Sequence, residues 1–393
     1  MNIVTISSLY PNNKDAKHGI FVETRLRHLV EHHPEVKPIV IAPVPWFPFS
    51  HKVFGEYAKY AGVKSREERH GITIYHPKYL VLPKIGMYLT PKLMERAIKR
   101  ALKHLIAEGH QIDVIDGHYF FPDGVAIANA AKAFNLPFTC TARGTDINLI
   151  PQFSKAKKMI QEVFNRASHL MAVCQALSSE MVNVGAAPEK VTTLRNGVDL
   201  TLFKSSSEEE QKALKASLGI ESQLVMSVGW LIERKGHYLV IEALLTCPNV
   251  VLAIAGDGPD EASLKALVER LGLSDRVKFL GALSQSELSQ WFRAADATVL
   301  ASSREGWANV LLESMASGTP VVATNVWGTP EVVASFDAGE LVERNSESIS
   351  QGLQMVLSNK RSRAATRLYA EQFDWLATSD GQMDIFKSIV TQK

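Results

Sequence analysis

Residues 298–317 read TVLASSREGWANVLLESMAS, and this stretch decides the fold class of the second half of the chain. Its first four residues are apolar or β-branched, which predicts a short buried strand at 298–301. Apolar residues then recur at helical spacing, which predicts a helix at 307–317. A buried strand followed directly by an amphipathic helix is the repeating unit of α/β domains with parallel sheets.

The same alternation continues in both directions from this stretch. It predicts further strands at 224–229, 250–255, 277–280 and 320–324, and in the first half at 3–8, 38–44, 71–76, 113–118, 137–142, 170–174 and 191–194. The chain has 393 residues, and domains usually contain about 100–200, so two domains are expected. The sequence therefore predicts an α/β protein with two doubly wound, Rossmann-like domains facing a central cleft, in which ligands bind beyond the carboxyl ends of the strands.

Glycine, alanine and proline at 185–188 indicate the boundary between the two domains. This boundary gives an N-terminal domain of residues 1–187 and a C-terminal domain of residues 188–371. An amphipathic helical stretch at 372–393 ends the chain.

Charge is distributed unevenly between the two halves. Residues 1–190 contain 24 Lys and Arg against 16 Asp and Glu, whereas residues 191–393 contain 19 against 25. The basic half would suit an anionic acceptor or an anionic membrane surface. Three sparse cysteines favour a reducing compartment, and no secretory or membrane-spanning stretch is visible. A cytoplasmic protein is expected, with peripheral contact at the membrane left open.

The loop between the predicted strand and helix of the opening stretch carries candidate binding residues. Glu305 stands in this loop, and Gly306 would let a ligand approach the backbone closely. The amides that follow are expected to be unpaired donors at a helix N-terminus, where anions bind; they belong to Trp307, Ala308, Asn309 and Val310. Glu313 would lie about 12 Å further along the helix axis. Such an order suits a sugar and a ribose flanking a diphosphate, although an acidic helix start with a surface glutamate gives the same pattern.

Two other predicted strand ends in the second half offer binding groups. The loop that begins at Gly229 reads GWLIERKG and places Arg234 and Lys235 beside a helix start. Cations there oppose the helix dipole, so an anionic ligand would explain them, and a solvated basic loop is the alternative. Leu283 lies in the loop after the strand at 277–280 and is a candidate contact for a nucleotide base.

In the first half, polar residues also stand where predicted strands end. His118 ends the strand at 113–118, and Asp123 is at the start of the next helix. Arg143 and Asp146 follow the neighbouring strand, and Gly19 opens the first helix. These positions predict a second group of ligand-binding residues, although a lone histidine is more often structural.

A basic amphipathic helix is predicted at 91–108. Its apolar face is typical of core packing, and its other face carries Lys92, Arg96, Lys99, Arg100, Lys103 and His104. Such a helix can lie on anionic lipid, and a core helix with a solvated basic face is the alternative. The aromatic stretch WFPF at 46–49 is a second candidate for membrane or acceptor contact.

Taken together, these residues resemble the family 4 group of retaining glycosyltransferases, which have the GT-B fold. The most specific feature is Glu305 and Glu313 at their eight-residue spacing, continued by SMASGTPVVA at 314–323. RNGVD at 195–199, GDGP at 256–259 and GTPE at 328–331 are also similar to motifs of this family. The loop ARGTD at 142–146 looks like that of a subgroup that builds bacterial cell-envelope polysaccharides of the teichuronic-acid type.

The resemblance implies transfer of a sugar from a UDP- or GDP-sugar to an acceptor hydroxyl with retention of configuration. Glu305 would hold hydroxyls of the donor sugar, Glu313 the ribose, and Lys235 the diphosphate. His118 would lie against the donor sugar, and Gly19 near the diphosphate. Glu305, His118 and Lys235 are thus the expected catalytic residues, and the 372–393 segment would pack back on the N-terminal domain.

The acceptor side is expected to involve Arg143, Asp146 and Asp123, and the acceptor to be an anionic or lipid-linked saccharide. No metal and no cofactor besides the nucleotide sugar as co-substrate is expected, since the sequence contains no clustered carboxylate or histidine ligand set. Nucleic acid is not an expected partner.

Three residues depart from the family pattern. Trp230 stands where many members have arginine, and Arg143 where many have histidine. Trp327 replaces a common glycine and would narrow the pocket near the donor sugar.

Two other classes of protein remain as alternatives. A sugar-nucleotide epimerase of the same two-domain plan would isomerise the donor without an acceptor, and a non-catalytic carbohydrate-binding protein would turn over nothing. A dinucleotide dehydrogenase is disfavoured, because no Gly-x-Gly-x-x-Gly follows the first predicted strand.

Overall fold

The computed structural model describes residues 1–46, 60–81, 86–359 and 361–391. The chain forms two compact units, Met1–Arg195 with Trp375–Lys393, and Asn196–Asp374. Each unit is an α/β domain built on a largely parallel sheet, which is the predicted fold class. The expected boundary at 187/188 differs from this division, because residues 191–193 form a strand of the first sheet.

The first unit contains, in chain order, β1 (Asn2–Ile6), α1 (Ile20–His32), β2 (Lys37–Ile41), β3 (Val44–Trp46), β4 (Arg66–Arg69), β5 (Ile72–Tyr75), β6 (Lys78–Leu80), α2 (Thr90–Ala107), β7 (Val114–His118), α3 (Val125–Phe134), β8 (Phe138–Ala142), α4 (Thr145–Asn148), α5 (Ser154–Arg166), β9 (His169–Ala172), α6 (Gln175–Val184) and β10 (Val191–Thr193). Within the described residues its main sheet has the order β10-β9-β8-β7-β1-β2-β5-β4. Its pairings are parallel except β4 with β5, and β3 and β6 form a separate parallel pair.

The second unit contains α7 (Glu208–Ser217), β11 (Gln223–Val228), α8 (His237–Ala243), β12 (Val250–Ala255), α9 (Glu261–Arg270), β13 (Val277–Gly281), α10 (Gln285–Ala294), β14 (Ala297–Leu300), α11 (Asn309–Ala316), β15 (Val321–Thr324), α12 (Thr329–Val332), β16 (Gly339–Val342), α13 (Ser346–Ser358) and α14 (Arg363–Ala370). Among the described residues its sheet has the order β13-β12-β11-β14-β15-β16, with parallel pairing throughout. The chain ends in α15 (Leu376–Thr391), which belongs to the first unit.

The central strands of both sheets are largely apolar and buried, which is typical of parallel sheets covered by helices on both faces. Val225, Leu252 and Val299 of the second sheet are fully or almost fully buried, as are Ile3 and Val114 of the first. Helix α15 completes the first core through three apolar side chains, Met383, Phe386 and Ile389.

The order of strands reverses between β1 and β7 in the first sheet and between β11 and β14 in the second. In open α/β sheets, ligands bind beyond the carboxyl ends of the strands at such a reversal. A binding site is therefore expected among the loops that follow these four strands. In the part of the chain that the structure describes, no helix combines the length and apolar character needed to cross a bilayer.

Candidate active site

The strand reversal of the second sheet brings two predicted loops together. The loop after β11 forms a short helical turn at Glu233–Lys235, and the loop after β14 carries Glu305. Lys235 Nζ lies 2.5 Å from Glu305 Oε1, and Ser302 Oγ donates to the same oxygen at 2.6 Å. The sequence predicted both charged residues at strand ends, and the fold brings them into direct contact.

Backbone contacts fix this pair. Arg234 donates from Nη1 to the carbonyl of Arg304 at 2.8 Å, and the amide of Ser303 donates to the carbonyl of Arg234 at 2.8 Å. Gly236 follows with a φ of 69°, and a Cβ there would lie 2.2 Å from the carbonyl oxygen of Ala301. Only glycine fits this close approach between the two loops.

The electrostatic environment keeps Glu305 ionised. Burial alone would raise its pKa, but the charge and hydrogen bond of Lys235, the hydrogen bond from Ser302 and the charge of Arg234 outweigh burial, so its pKa is lowered. The carboxylate is 10% exposed and Lys235 15% exposed, so both can reach a ligand. A buried carboxylate with a cation beside it can accept hydroxyl groups while the cation binds an anion.

Helix α11 begins at Asn309, two residues later than the predicted start at Trp307. Trp307 and Ala308 therefore lie in the loop before the helix, and the amide of Asn309 donates to the carbonyl of Trp307 at 3.1 Å. Among the described residues, the amides of Ala308 and Val310 have no hydrogen-bond acceptor. Of the four amides predicted to be unpaired at this helix end, those of Ala308 and Val310 are therefore the ones available to an anion, at the predicted location.

The indole of Trp307 anchors this loop. Its Nε1 donates to the carbonyl of Asn196 at 3.0 Å, and Asn196 donates from Nδ2 to Asn309 Oδ1 at 3.2 Å. The indole also packs against Phe373, with ring centroids 5.9 Å apart. The side chain of Trp307 is directed into the protein. This position is compatible with the predicted contact, in which only the backbone of Trp307 meets a ligand.

Glu313 lies in the second turn of α11 and is partly exposed. Burial raises its pKa to about 7. Hydrogen-bond donors of a ligand would stabilise the ionised form of the Glu313 carboxylate.

The remaining predicted residues of the second unit lie at strand ends as expected. Gly229 follows β11, with a φ of 152°, and packs against the Lys235 side chain. Leu283 follows β13 and is partly exposed. Trp230 is 50% exposed, and Trp327 has a φ of 47°, a left-handed conformation that favours glycine.

In the first unit, His118 ends β7 and is almost fully buried. Its Nε2 lies 3.0 Å from Asp116 Oδ2, and Arg143 Nη2 lies 2.7 Å from its Nδ1. Burial, assisted by the charge of Arg143, outweighs the opposing charge and hydrogen bond of Asp116 and lowers the pKa of His118 to about 4. The imidazole is therefore neutral at pH 7, with Nε2–H donating to Asp116 and Nδ1 accepting from Arg143. Both ring nitrogens have protein partners.

Asp116 is itself held by the C-terminal helix. Gln382 of α15 donates from Nε2 to Asp116 Oδ2 at 3.1 Å, and Arg25 of α1 donates from Nε to Gln382 Oε1 at 2.9 Å. Burial opposes ionisation of Asp116, but its contact with His118 and the charges of Arg25 and Arg143 outweigh it, so its pKa is lowered. These residues form a buried network that orients His118.

The predicted acceptor-side residues separate into two kinds. Arg143 is partly exposed, and its guanidinium lies over the Phe21 ring at 5.4 Å. Asp146 is fully buried and accepts backbone N–H groups of Phe120, Arg143 and Gly144. It therefore shapes the loop that carries Arg143 and is not at the surface.

Asp123 is also fully buried, and its two oxygens accept the amide and the hydroxyl of Ser8 at 2.5 and 3.0 Å. Burial raises its pKa to about 7. Gly19 caps α1 with a φ of 64°, and a Cβ there would lie 2.1 Å from the carbonyl carbon of Leu9. Asp123 and Gly19 therefore hold the loop after β1 in place, at the reversal point of the first sheet.

Two family profiles match consecutive parts of the chain. The profile for Glycosyltransferase Family 4 matches residues 22–202, and that for Glycosyl transferases group 1 matches residues 207–373. Together they span most of both units. The chain belongs to the family 4 glycosyltransferases.

This glycosyltransferase is similar to curated proteins along most of its length. It is 25% identical over 357 residues to a Bacillus subtilis protein assigned to teichuronic acid biosynthesis as a glycosyltransferase, covering 90% of this chain and 88% of the relative. It is 30% identical over 247 residues to D-inositol 3-phosphate glycosyltransferase of Mycobacterium tuberculosis, covering 58% of this chain and 50% of that one.

Solved structures confirm the GT-B fold class of the glycosyltransferase. HepE of Anabaena in complex with UDP is 21% identical with a TM-score of 0.74, covering 99% of this chain and all of that one. Sucrose-phosphate synthase of Thermosynechococcus elongatus is 17% identical with a TM-score of 0.81, covering the whole of both chains. A further HepE structure contains UDP-glucose.

Several site residues of the glycosyltransferase were missed by sequence reasoning. Arg25 and Gln382 lie inside helices with no local motif, and only their contacts reveal them. His237 is buried behind the Lys235 loop, with its Nδ1 2.8 Å from Ser227 Oγ. Its position directly after Gly236 at a helix start was the one available signal.

Clusters of three or more His, Cys, Asp or Glu able to hold a metal ion do not occur among the described residues of the glycosyltransferase. The three cysteines are Cys140, Cys174 and Cys247, and all are buried thiols that form no disulfide.

Proposed function

We propose that this glycosyltransferase moves a hexose from a UDP- or GDP-sugar to an acceptor hydroxyl with retention of configuration. The proposal places the reaction in the synthesis of a cell-surface polysaccharide or glycolipid, in the cytoplasm. The observation that carries it is the contact of Lys235 with Glu305 at the strand reversal of the second unit. The relative from teichuronic acid biosynthesis and the HepE complexes with UDP and UDP-glucose support it.

In the proposed binding of the donor, Lys235 and Glu305 contact different parts of the nucleotide sugar. A diphosphate would compete for Lys235, with Arg234 and the amides before and within α11 as further donors. Glu305, which stays ionised, would then accept hydroxyls of the donor sugar. Glu313 would accept the ribose hydroxyls, Leu283 would contact the base, and no metal or further cofactor would be required.

The proposed chemistry is electrostatic. The departing diphosphate gains charge in the transition state, and Lys235 and the helix amides would stabilise that charge. The acceptor hydroxyl would attack from the same face that the diphosphate leaves and give its proton to the leaving phosphate. His118 would lie against the donor sugar with its orientation fixed by Asp116, and Arg143 would bind an anionic group of the acceptor.

The first experiment identifies the donor. Thermal unfolding of the wild-type chain is followed with a panel of nucleotide diphosphate sugars, because a ligand that binds the native state raises the melting temperature. Incubation of the best ligand without acceptor then tests for an isomerised nucleotide sugar, which would favour an epimerase. A complete lack of nucleotide-sugar binding would favour a carbohydrate-binding protein.

The decisive experiment compares two pairs of variants. Glu305→Gln and Lys235→Ala should each lower the rate of nucleotide release from the donor on the order of a hundredfold to a thousandfold, because each removes a group that stabilises the transition state. Glu261→Gln and Lys265→Ala alter an exposed ion pair of the same unit, at 2.6 Å, and should leave the rate unchanged. Near-wild-type rates in folded Glu305 and Lys235 variants would refute the proposed roles.

A further inference from the structure

One surface of the first unit combines large exposed apolar side chains with cations. Leu89, directly before α2, is 50% exposed, and Phe153, directly before α5, is 47% exposed. Four exposed cations lie in the first two turns of the same two helices, and we call these six residues the docking patch: Leu89, Phe153, Lys92, Arg96, Lys155 and Lys158.

A direct contact joins the two halves of the docking patch. Lys155 Nζ lies 4.9 Å from the ring centroid of Tyr88, the residue before Leu89. This distance is that of a cation–π interaction. The starts of α2 and α5 are therefore neighbours, and Leu89 and Phe153 belong to one continuous surface.

Three of the four cations of the docking patch remain available to a partner. Within the described residues, Lys92, Arg96 and Lys158 make no ion pair or hydrogen bond through their side chains. Further along α2, Lys99 pairs with Glu95 at 2.6 Å, Arg100 donates to the carbonyl of Lys78 at 3.3 Å, and His104 lies 3.3 Å from Glu108, whereas the exposed Lys103 has no partner among the described residues. Two of the three unpaired cations on the predicted basic face, Lys92 and Arg96, thus lie in the first half of the helix.

The docking patch lies at the edge of the sheet that carries His118 and Arg143. Helices α2 and α5 end at Ala107 and Arg166, shortly before β7 and β9 begin, so their ends lie at the amino edge of the sheet. Helix α2 has 18 residues and is about 27 Å long, whereas a five-residue strand spans about 17 Å. The starts of both helices must therefore reach the carboxyl edge.

We propose that the docking patch binds the surface of an anionic lipid membrane. Lipid phosphates attract the four cations, and Leu89 and Phe153 enter the interface between headgroups and acyl chains. A soluble acidic saccharide would use the cations but leave both apolar side chains in water, so the membrane fits the whole patch better. The inference rests on the proposed function for its purpose, which is to bring a lipid-linked acceptor to the edge that carries His118 and Arg143.

The aromatic stretch at 46–49 was a second candidate for this contact. Its residues 47–49 lie outside the described residues and take no part in the proposal.

The test measures sedimentation of the full chain with vesicles. One set is pure phosphatidylcholine, and the other is equal parts phosphatidylcholine and phosphatidylglycerol. The wild type should bind the anionic vesicles, less so at high salt, and not the neutral ones. Leu89→Ser with Phe153→Ser, and Lys92→Gln with Lys158→Gln, should each weaken binding on the order of tenfold.

A matched control uses the other end of α2. Ile106, which is 44% exposed, and Lys103 are an apolar residue and a cation like those of the docking patch, but they lie outside it. Ile106→Ser with Lys103→Gln should therefore keep wild-type binding. The proposal is overturned if the wild type does not bind anionic vesicles, if the control loses as much as the patch variants, or if the Leu89 and Phe153 changes have no effect. The thermal shift with the nucleotide sugar is measured on every variant, so that a failure of donor binding is recognised separately from a failure of docking.

Discussion

Lys235 and Glu305 neutralise each other, with Lys235 Nζ 2.5 Å from Glu305 Oε1. An unpaired charge at this depth would be costly, so each member of the pair stabilises the other. A diphosphate that takes over Lys235 would leave the Glu305 carboxylate free to accept hydroxyls. The proposed site is thus ready for a ligand that brings an anion and a sugar together.

Glu313 gives a prediction about pH. Its pKa is raised to about 7 by burial, so it is mostly protonated at about pH 6 and mostly ionised at about pH 8. Ribose hydroxyls would donate to the ionised form, so the affinity for a nucleotide sugar should rise by up to about tenfold over this interval. Calorimetric titration at both pH values measures it.

Glu313→Gln is the control for this prediction. The amide can still accept a hydroxyl proton but has no charge to titrate, so binding should be weaker and nearly independent of pH. Identical pH profiles for the variant and the wild type would exclude Glu313 as the titrating group.

The residues around His118 show how far sequence reasoning reaches at this scale. His118 and Arg143 were predicted because they follow neighbouring strands, and parallel strands end at one edge. Arg25 and Gln382 were missed because their contact joins residues 357 positions apart. Both lie inside helices, where a buried polar side chain looks the same in sequence as an exposed one.

At the scale of elements, Gly236 determines how the Lys235 turn packs against the end of β14. Gly236 and Gly272 have nearly the same φ, 69° and 67°, but a Cβ at Gly272 would meet nothing within 4 Å. Gly272→Ala should therefore show only the cost of a left-handed residue, about 1–2 kcal/mol. Gly236→Ala adds a clash with Ala301 and should cost more by about 1–3 kcal/mol.

Chemical denaturation of both variants measures this difference. Titration with the nucleotide sugar adds a functional readout: Gly236→Ala should weaken donor binding, because it displaces Lys235 from Glu305, and Gly272→Ala should not. Equal effects of the two substitutions would mean that the close approach to Ala301 has no consequence.

The elements themselves were predictable where burial follows a simple period. Strand β12 lies where the apolar pattern placed it, and strand β14 lies within one residue of its predicted range. The start of α11 was misplaced by two residues, because Ala308 has a ψ of 81° in a loop held by the contact of Trp307 with distant Asn196. Strand β4, which reads REER, was missed because it pairs through its backbone and has no apolar alternation.

At the scale of the whole molecule, buried titratable groups act on stability in opposite directions. Burial raises the pKa of Asp123 from 3.8 to about 7, and burial together with the charge of Lys235 lowers that of His237 from 6.5 to about 4. The two groups lie in different units, so their effects should be independent.

Between about pH 5 and pH 6 the folded state keeps the proton of Asp123 while the unfolded state has lost it, so this group makes stability fall as pH rises. His237 is neutral in the folded state and mostly protonated in the unfolded state, so it makes stability rise with pH.

Two substitutions test these opposite contributions to the change in unfolding free energy between pH 5 and pH 6. Asp123→Asn should make this change more positive by about 1 kcal/mol, and His237→Gln should make it more negative by a similar amount. Urea unfolding at both pH values measures the change, and His110→Gln, at an exposed position, controls for the loss of a histidine as such. If both the Asp123 and the His237 variant altered the change in unfolding free energy in the same direction, the opposite protonation behaviour that burial imposes on the two groups would be contradicted.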